Sequence, residues 1–133
     1  MSDRHPCPCC GHLVFGAPPG SYDICPICSW EDDGVQLGYP LMAGGANARS
    51  LFDSQQEFAR CGACEPRLTH NVRHPNYDEP LDPNWRPFAP ATDPHLREGS
   101  PQDDELWRGV ARDAELYYWR DNYWLSPKNR NTA

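Results

Sequence analysis

Apolar residues follow two rhythms along this chain, separated by a stretch that has neither. His12 to Phe15 and Ser21 to Ile24 flank the turn-rich run Gly16-Ala17-Pro18-Pro19-Gly20, which predicts two short strands running antiparallel. Further on, Leu51, Phe52, Gln55, Phe58 and Ala59 fall mostly on one face at helical spacing. Ser50 stands where an N-cap belongs, Asp53 lies in the first turn, and Gly62 is placed to end the helix in a left-handed conformation. From Pro75 to Pro101 the chain holds seven prolines and no period, so it should run extended, as a linker or as an arm over a surface anchored by Trp85 and Phe88. Ser100 as N-cap and Pro101 at the first helical position then open a helix expected to reach Trp124. Asp103, Asp104 and Glu105 would sit at its positive end.

Little core is available to hold these elements together. Of 133 residues, 38% are hydrophobic and the mean hydropathy is -0.80, so packing alone supplies limited stability. The cysteines offer another source. Cys7-Pro8-Cys9-Cys10-Gly11 and Cys25-Pro26-Ile27-Cys28 each present two thiols separated by two residues, with 14 residues between Cys10 and Cys25. Prolines at the second position fix the backbone of each turn, and Gly11 permits a positive φ on leaving the first. Two such knuckles facing each other place Cys7, Cys10, Cys25 and Cys28 around one structural Zn2+. Seven cysteines is an odd number, and no apolar leader lies between Met1 and Pro8, which favours metal over a disulfide framework.

The expected fold is therefore α+β, a small zinc-ribbon hairpin plus a short helix. Its domains would be residues 1–74, a Pro-rich arm 75–100 and an aromatic C-terminal helix and tail 101–133. No run of 18 apolar residues occurs, which predicts a soluble, cytoplasmic protein with no membrane partner.

Charge narrows the function. The net charge is -7, and the sole lysine is Lys128, so the cation density that nucleic-acid binding demands is missing. The run Glu31-Asp32-Asp33 after Trp30 reads either as a site for a cation or a basic partner, or as a solvated turn anchored by Trp30. In the C-terminal helix, Trp107, Tyr117, Tyr118, Trp119, Tyr123 and Trp124 cannot share one seam, because neighbouring positions diverge by about 100°. Either Trp119, Tyr123 and Trp124 face outward as interface anchors, or the proline arm covers them.

A third pair, Cys61 and Cys64, lacks framing prolines. With His70 and His74 it could form a second Cys2His2 site, though the separation is shorter than in a usual finger; a buried, unligated Cys64 is the plainer reading. Cys9 reads as an unligated neighbour of the first knuckle, or as one that exchanges with Cys10.

The chain resembles the bacterial cysteine-rich CPCC family. The likeness runs through Cys7 to Gly11, Gly20 to Cys28, Trp30 to Gln36, Gly44 to Asn47, Ser50-Leu51 and Gly62 to Glu65, ending near Val72-Arg73. Cys61 departs from the family's usual phenylalanine there, and the proline arm and aromatic helix lie outside the likeness. The resemblance implies no enzymatic activity. It implies instead a role beside polymorphic toxins, as an immunity protein that neutralises a toxin by direct binding.

That implication agrees with an acidic binder meeting a basic toxin surface through Glu31, Asp32, Asp33, Asp103, Asp104 and Glu105, with the outward aromatics as anchors. On this reading Trp119→Ala or Trp124→Ala should weaken binding with little loss of fold. Rival readings are an enzyme using Cys9 with His5 or His12, a zinc-ribbon nucleic-acid module around Arg67, His70 and Arg73, and a thiol redox or zinc-handling protein using Cys61 and Cys64.

Overall fold

The computed structural model describes residues 4–96 and 116–125. Two turns of one design organise it. At the first knuckle the Gly11 amide donates to the Cys7 carbonyl (2.7 Å) and the Cys7 amide to the His12 carbonyl (2.9 Å). At the second the Ser29 amide donates to Cys25 (2.8 Å) and the Cys25 amide to Trp30 (2.8 Å). Gly11 and Ser29 both adopt left-handed backbone, with φ of 82° and 71°. Residues 7–13 and 25–31 are thus two copies of the same motif.

Strand pairing follows from those turns and differs from expectation. β1 (His5–Pro6) pairs antiparallel with β2 (Leu13–Phe15), and Ile24 bridges antiparallel to Glu31. Residues 12–15 do not pair with 21–24. Each knuckle already reverses the chain, so the segment entering it meets the segment leaving it before the longer Gly16–Gly20 loop can act. The α+β, zinc-ribbon-like architecture stands with two small hairpins in place of one larger one.

Immediately after the second knuckle, Asp33 caps a short helix, α1 (Gly34–Gly38), by accepting from the amides of Val35 (2.8 Å) and Gln36 (3.2 Å). The segment 39–49 that follows, with Gly44 and Gly45, is a loop. α2 (Leu51–Cys61) begins where Ser50 Oγ accepts from the Asp53 amide (3.1 Å) and ends at Gly62 with φ 83°. Leu51, Ser54 and Gln55 are its buried face. A 3-10 helix spans Pro66–Asn71.

The proline-rich segment lies on the first knuckle. His12 bridges antiparallel to Leu81, the Leu13 amide donates to Pro80 (2.9 Å) and the Asp82 amide to Gly11 (2.8 Å). The Trp85 indole donates to the Pro8 carbonyl at 2.9 Å. A Cβ on Gly11 would stand 2.6 Å from the Trp85 ring, so this position requires glycine for space as well as for backbone sign. Phe88 is buried edge-on between Phe52 and Tyr118.

Residues 101–115 of the expected C-terminal helix lie outside the described residues. Residues 116–125 correct the remainder: they form successive turns, with the Arg120 amide bonded to Tyr117 (3.2 Å) and Tyr123 to Arg120 (3.1 Å). Turns solve the problem that a helix poses here, because consecutive aromatics can then all reach the interior. Tyr118 and Trp119 meet edge to face at 4.8 Å. No helix among the described residues is long and apolar enough to cross a membrane.

Candidate metal centre

The knuckles bring four buried sulfurs together. Cys7, Cys10, Cys25 and Cys28 place their Sγ atoms within 4.8 Å of one another. The Cys7–Cys28 separation is 3.6 Å and the Cys10–Cys25 separation 3.8 Å, and all four are free thiols. A tetrahedron with metal–sulfur bonds of roughly 2.3 Å has sulfur–sulfur edges of about 3.8 Å. The Cys7–Cys28 and Cys10–Cys25 edges therefore match those of a closed four-thiolate metal shell.

Electrostatics point the same way. Burial pushes the Cys7 and Cys28 thiols well up, whereas hydrogen bonds from Cys10, Cys28 and Cys7 hold Cys25 far below the usual thiol range. Alone, the quartet keeps protons on some of its sulfurs. A divalent cation supplies the positive charge that lets all four be thiolates.

The neighbouring cysteines play other parts. Cys9 is fully buried but stays outside the quartet, and burial raises its thiol. Cys64 is buried and pushed up to about 12 by desolvation. Cys61 is half-buried, closes α2 and leans on the Ala63 carbonyl at 3.6 Å. Among the described residues the quartet is the only group of three or more side chains placed to hold a metal, so Cys61, Cys64, His70 and His74 do not assemble into a second site.

Most residues expected to face a partner turn inward, which corrects that expectation. Asp32 is buried and accepts from Ser21 Oγ at 2.6 Å. Asp33 is buried, capping α1 and accepting from the Ala46 amide at 2.9 Å. Neither forms a solvated turn or a free acidic patch, because each satisfies backbone groups around the second knuckle. Trp119, Tyr123 and Trp124 are buried too, and Trp119 Nε1 donates to Asp82 at 3.0 Å. Glu31 alone of the described set is half-exposed. Asp103, Asp104 and Glu105 lie outside the described residues.

A family model described as "Cysteine-rich CPCC" matches residues 5–79, more than half of the chain. The chain belongs to this family. No curated protein matches the chain. The matched CPCC segment holds both knuckles, α1, α2 and the 3-10 helix, and it ends where the covering arm begins.

Inside the CPCC segment the structure explains residues that sequence reasoning left without a role. Gln36 is fully buried. Its Nε2 reaches the carbonyls of Met42, Asn47 and Arg49 at 3.0 to 3.2 Å, and its Oε1 accepts from the Asn47 amide and side chain. Asn47 in turn grips Glu31 by accepting from its amide and donating to its carbonyl, both at 2.9 Å. A Cβ on Gly45 would stand 2.7 Å from Asp33 Oδ2. Trp30 to Gln36 and Gly44 to Asn47 thus form one polar bracket that braces the second knuckle. Its sequence signal was the family likeness carried by those same two segments.

Proposed function

We propose that this CPCC protein is a non-catalytic, cytoplasmic scaffold stapled by one structural zinc ion, acting by binding another protein. The observation that carries the reading is the buried four-sulfur frame, in which the Cys7–Cys28 and Cys10–Cys25 separations match a closed thiolate shell around zinc. With four protein ligands, no position remains for a substrate or an activated water. Thiolates suit zinc better than they suit hard cations, and its binding contributes about 10 to 16 kcal/mol in small zinc domains.

The partner we propose is a toxin with a basic surface, neutralised by direct contact. Support comes from the family resemblance and from the net charge of -7, which favours association with a cationic protein over nucleic acid. A redox role for Cys61 and Cys64 is disfavoured by the buried, raised thiol of Cys64, since reactive cysteines carry lowered pKa values and are accessible.

Elemental analysis of reduced, purified protein tests the scaffold. It should find one zinc per chain, and Cys25→Ser should lose both the metal and cooperative unfolding. A metal-free chain that unfolds as cooperatively and at the same temperature overturns the reading. Co-expression with the product of the adjacent gene, followed by pull-down, tests the partner.

A further inference from the structure

The two knuckles share a backbone but differ in what covers them. At the first, the face above the left-handed Gly11 is filled by Trp85 and Leu81 of the chain's own arm. At the second, Ser29 lines a recess of about 200 Å³ together with Ile24, Glu31, Asn47, Glu65 and Leu68. A serine Cβ stands where the first knuckle requires none, so an indole cannot seat there as Trp85 does on Gly11. The occupant has to be slimmer.

Size and charge specify it further. The recess is smaller than the roughly 300 to 1,000 Å³ of small-molecule pockets, which suits one long side chain. Ile24 and Glu31 are cross-strand partners, so their side chains project from the same face. Ile24 is 60% exposed. Arg67 also lines the recess but is already paired with Glu65, whereas the Glu31 carboxylate has no hydrogen-bond or ion-pair partner among the described residues. An aliphatic wall beside an unpaired carboxylate, on a chain of net charge -7, complements a long cationic side chain that keeps its stem on apolar surface. Arginine fits better than lysine, since its planar fork engages a carboxylate through two bonds.

We propose that the recess over the second knuckle receives an arginine side chain of a partner protein, its stem along Ile24 and Leu68 and its guanidinium on Glu31. This inference rests on the protein-binding reading above and names where that binding is anchored.

The probe is N-acetyl-arginine methylamide, titrated into the zinc-loaded full chain and followed by amide NMR, with the neutral isostere N-acetyl-citrulline methylamide as control. The expected result is saturable shifts confined to Ile24, Ser29, Glu31, Asn47, Glu65 and Leu68, weaker by about tenfold or more in Glu31→Gln. Asp78→Asn, which removes a remote exposed carboxylate, should leave them unchanged. Unchanged zinc content and dispersion of the remaining amides show that Glu31→Gln is folded. The proposal falls if no shifts occur, if citrulline produces the same ones, or if Asp78→Asn weakens them as much as Glu31→Gln. Each of those results leaves the zinc scaffold standing, because that reading is decided by metal content, and leaves partner capture to the pull-down.

Discussion

Gly11 and Ser29 hold the same place in two copies of one turn, yet the chain braces the copies by different means. The first copy is held from outside by a cover that arrives from far downstream in the chain: Leu81 and Trp85 on Gly11, and Trp119 on Asp82. The second is held by nearby polar groups, Asn47 on Glu31 and Gln36 on Asn47. The side chains that follow differ likewise. His12 Nδ1 pairs with the Glu79 carbonyl at 2.8 Å, whereas the buried Trp30 indole nitrogen finds no hydrogen-bond partner among the described residues. A sulfur quartet needs two rigid turns, and nothing in its chemistry demands that they be made rigid alike.

That contrast can be tested by removing each brace. The largest effect should come from Trp119→Ala. It deletes a buried ring and unseats the Asp82 contact behind the arm, for a loss of about 3 to 5 kcal/mol by the rule for large-to-small core substitutions. Chemical denaturation measures it; a loss under about 1 kcal/mol would mean that the cover is not what steadies the first knuckle. This outcome replaces the sequence-based expectation that Trp119→Ala would spare the fold.

Next comes a matched pair at the left-handed positions. Gly11→Ala adds a methyl group against Trp85 and incurs about 1 to 2 kcal/mol of backbone strain, with a further 1 to 3 kcal/mol from overpacking. Ser29→Gly relieves the strain but gives the unfolded chain more freedom, so its net effect should stay within about 1 kcal/mol of zero. Equal losses from the two changes would erase the distinction between them.

The smallest effect belongs to Glu79, which touches both copies. Its carboxylate holds Arg73 through bonds of 2.7 and 2.8 Å, the Arg73 amide bonds Pro26 of the second knuckle, and its carbonyl meets His12 of the first. The Arg73 guanidinium lowers the Glu79 carboxyl from 4.5 to about 2. The link is therefore fully present above pH 4.5 and lost as pH falls toward 2. Arg73 is exposed and the pair is screened by water, so the contribution is small. In Glu79→Gln the acid limb of the stability curve should flatten slightly.

The sequence disclosed what depends on local chemistry. Cys-Pro-x-Cys turns, a serine that caps and a glycine that ends a helix act on residues within four positions of themselves, and α2 lies where those signals place it. What escaped depends on distant partners. Asp33 is a helix cap only because α1 follows it, and α1 is five residues long, too short to show a period. The aromatic run at 117–124 was read as the end of a helix opened by Ser100 and Pro101, and the turns at 116–125 appear only once Phe88, Asp82 and Arg86 are available to receive Tyr118 and Trp119. Burial of Asp32 and Asp33 was hidden for the same reason: three adjacent carboxylates look solvated until the amides and hydroxyls they serve are brought near.

The arm has one more consequence. The stretch that defines kinship ends at Glu79, while the lid over Gly11 is built from residues beyond it. The matched segment and the residues that cover its first knuckle therefore do not share a border. Cutting at the family boundary would remove the cover from the first knuckle and leave the polar bracket of the second in place, so in a truncated chain Cys7 and Cys10 should react with a thiol probe before Cys25 and Cys28.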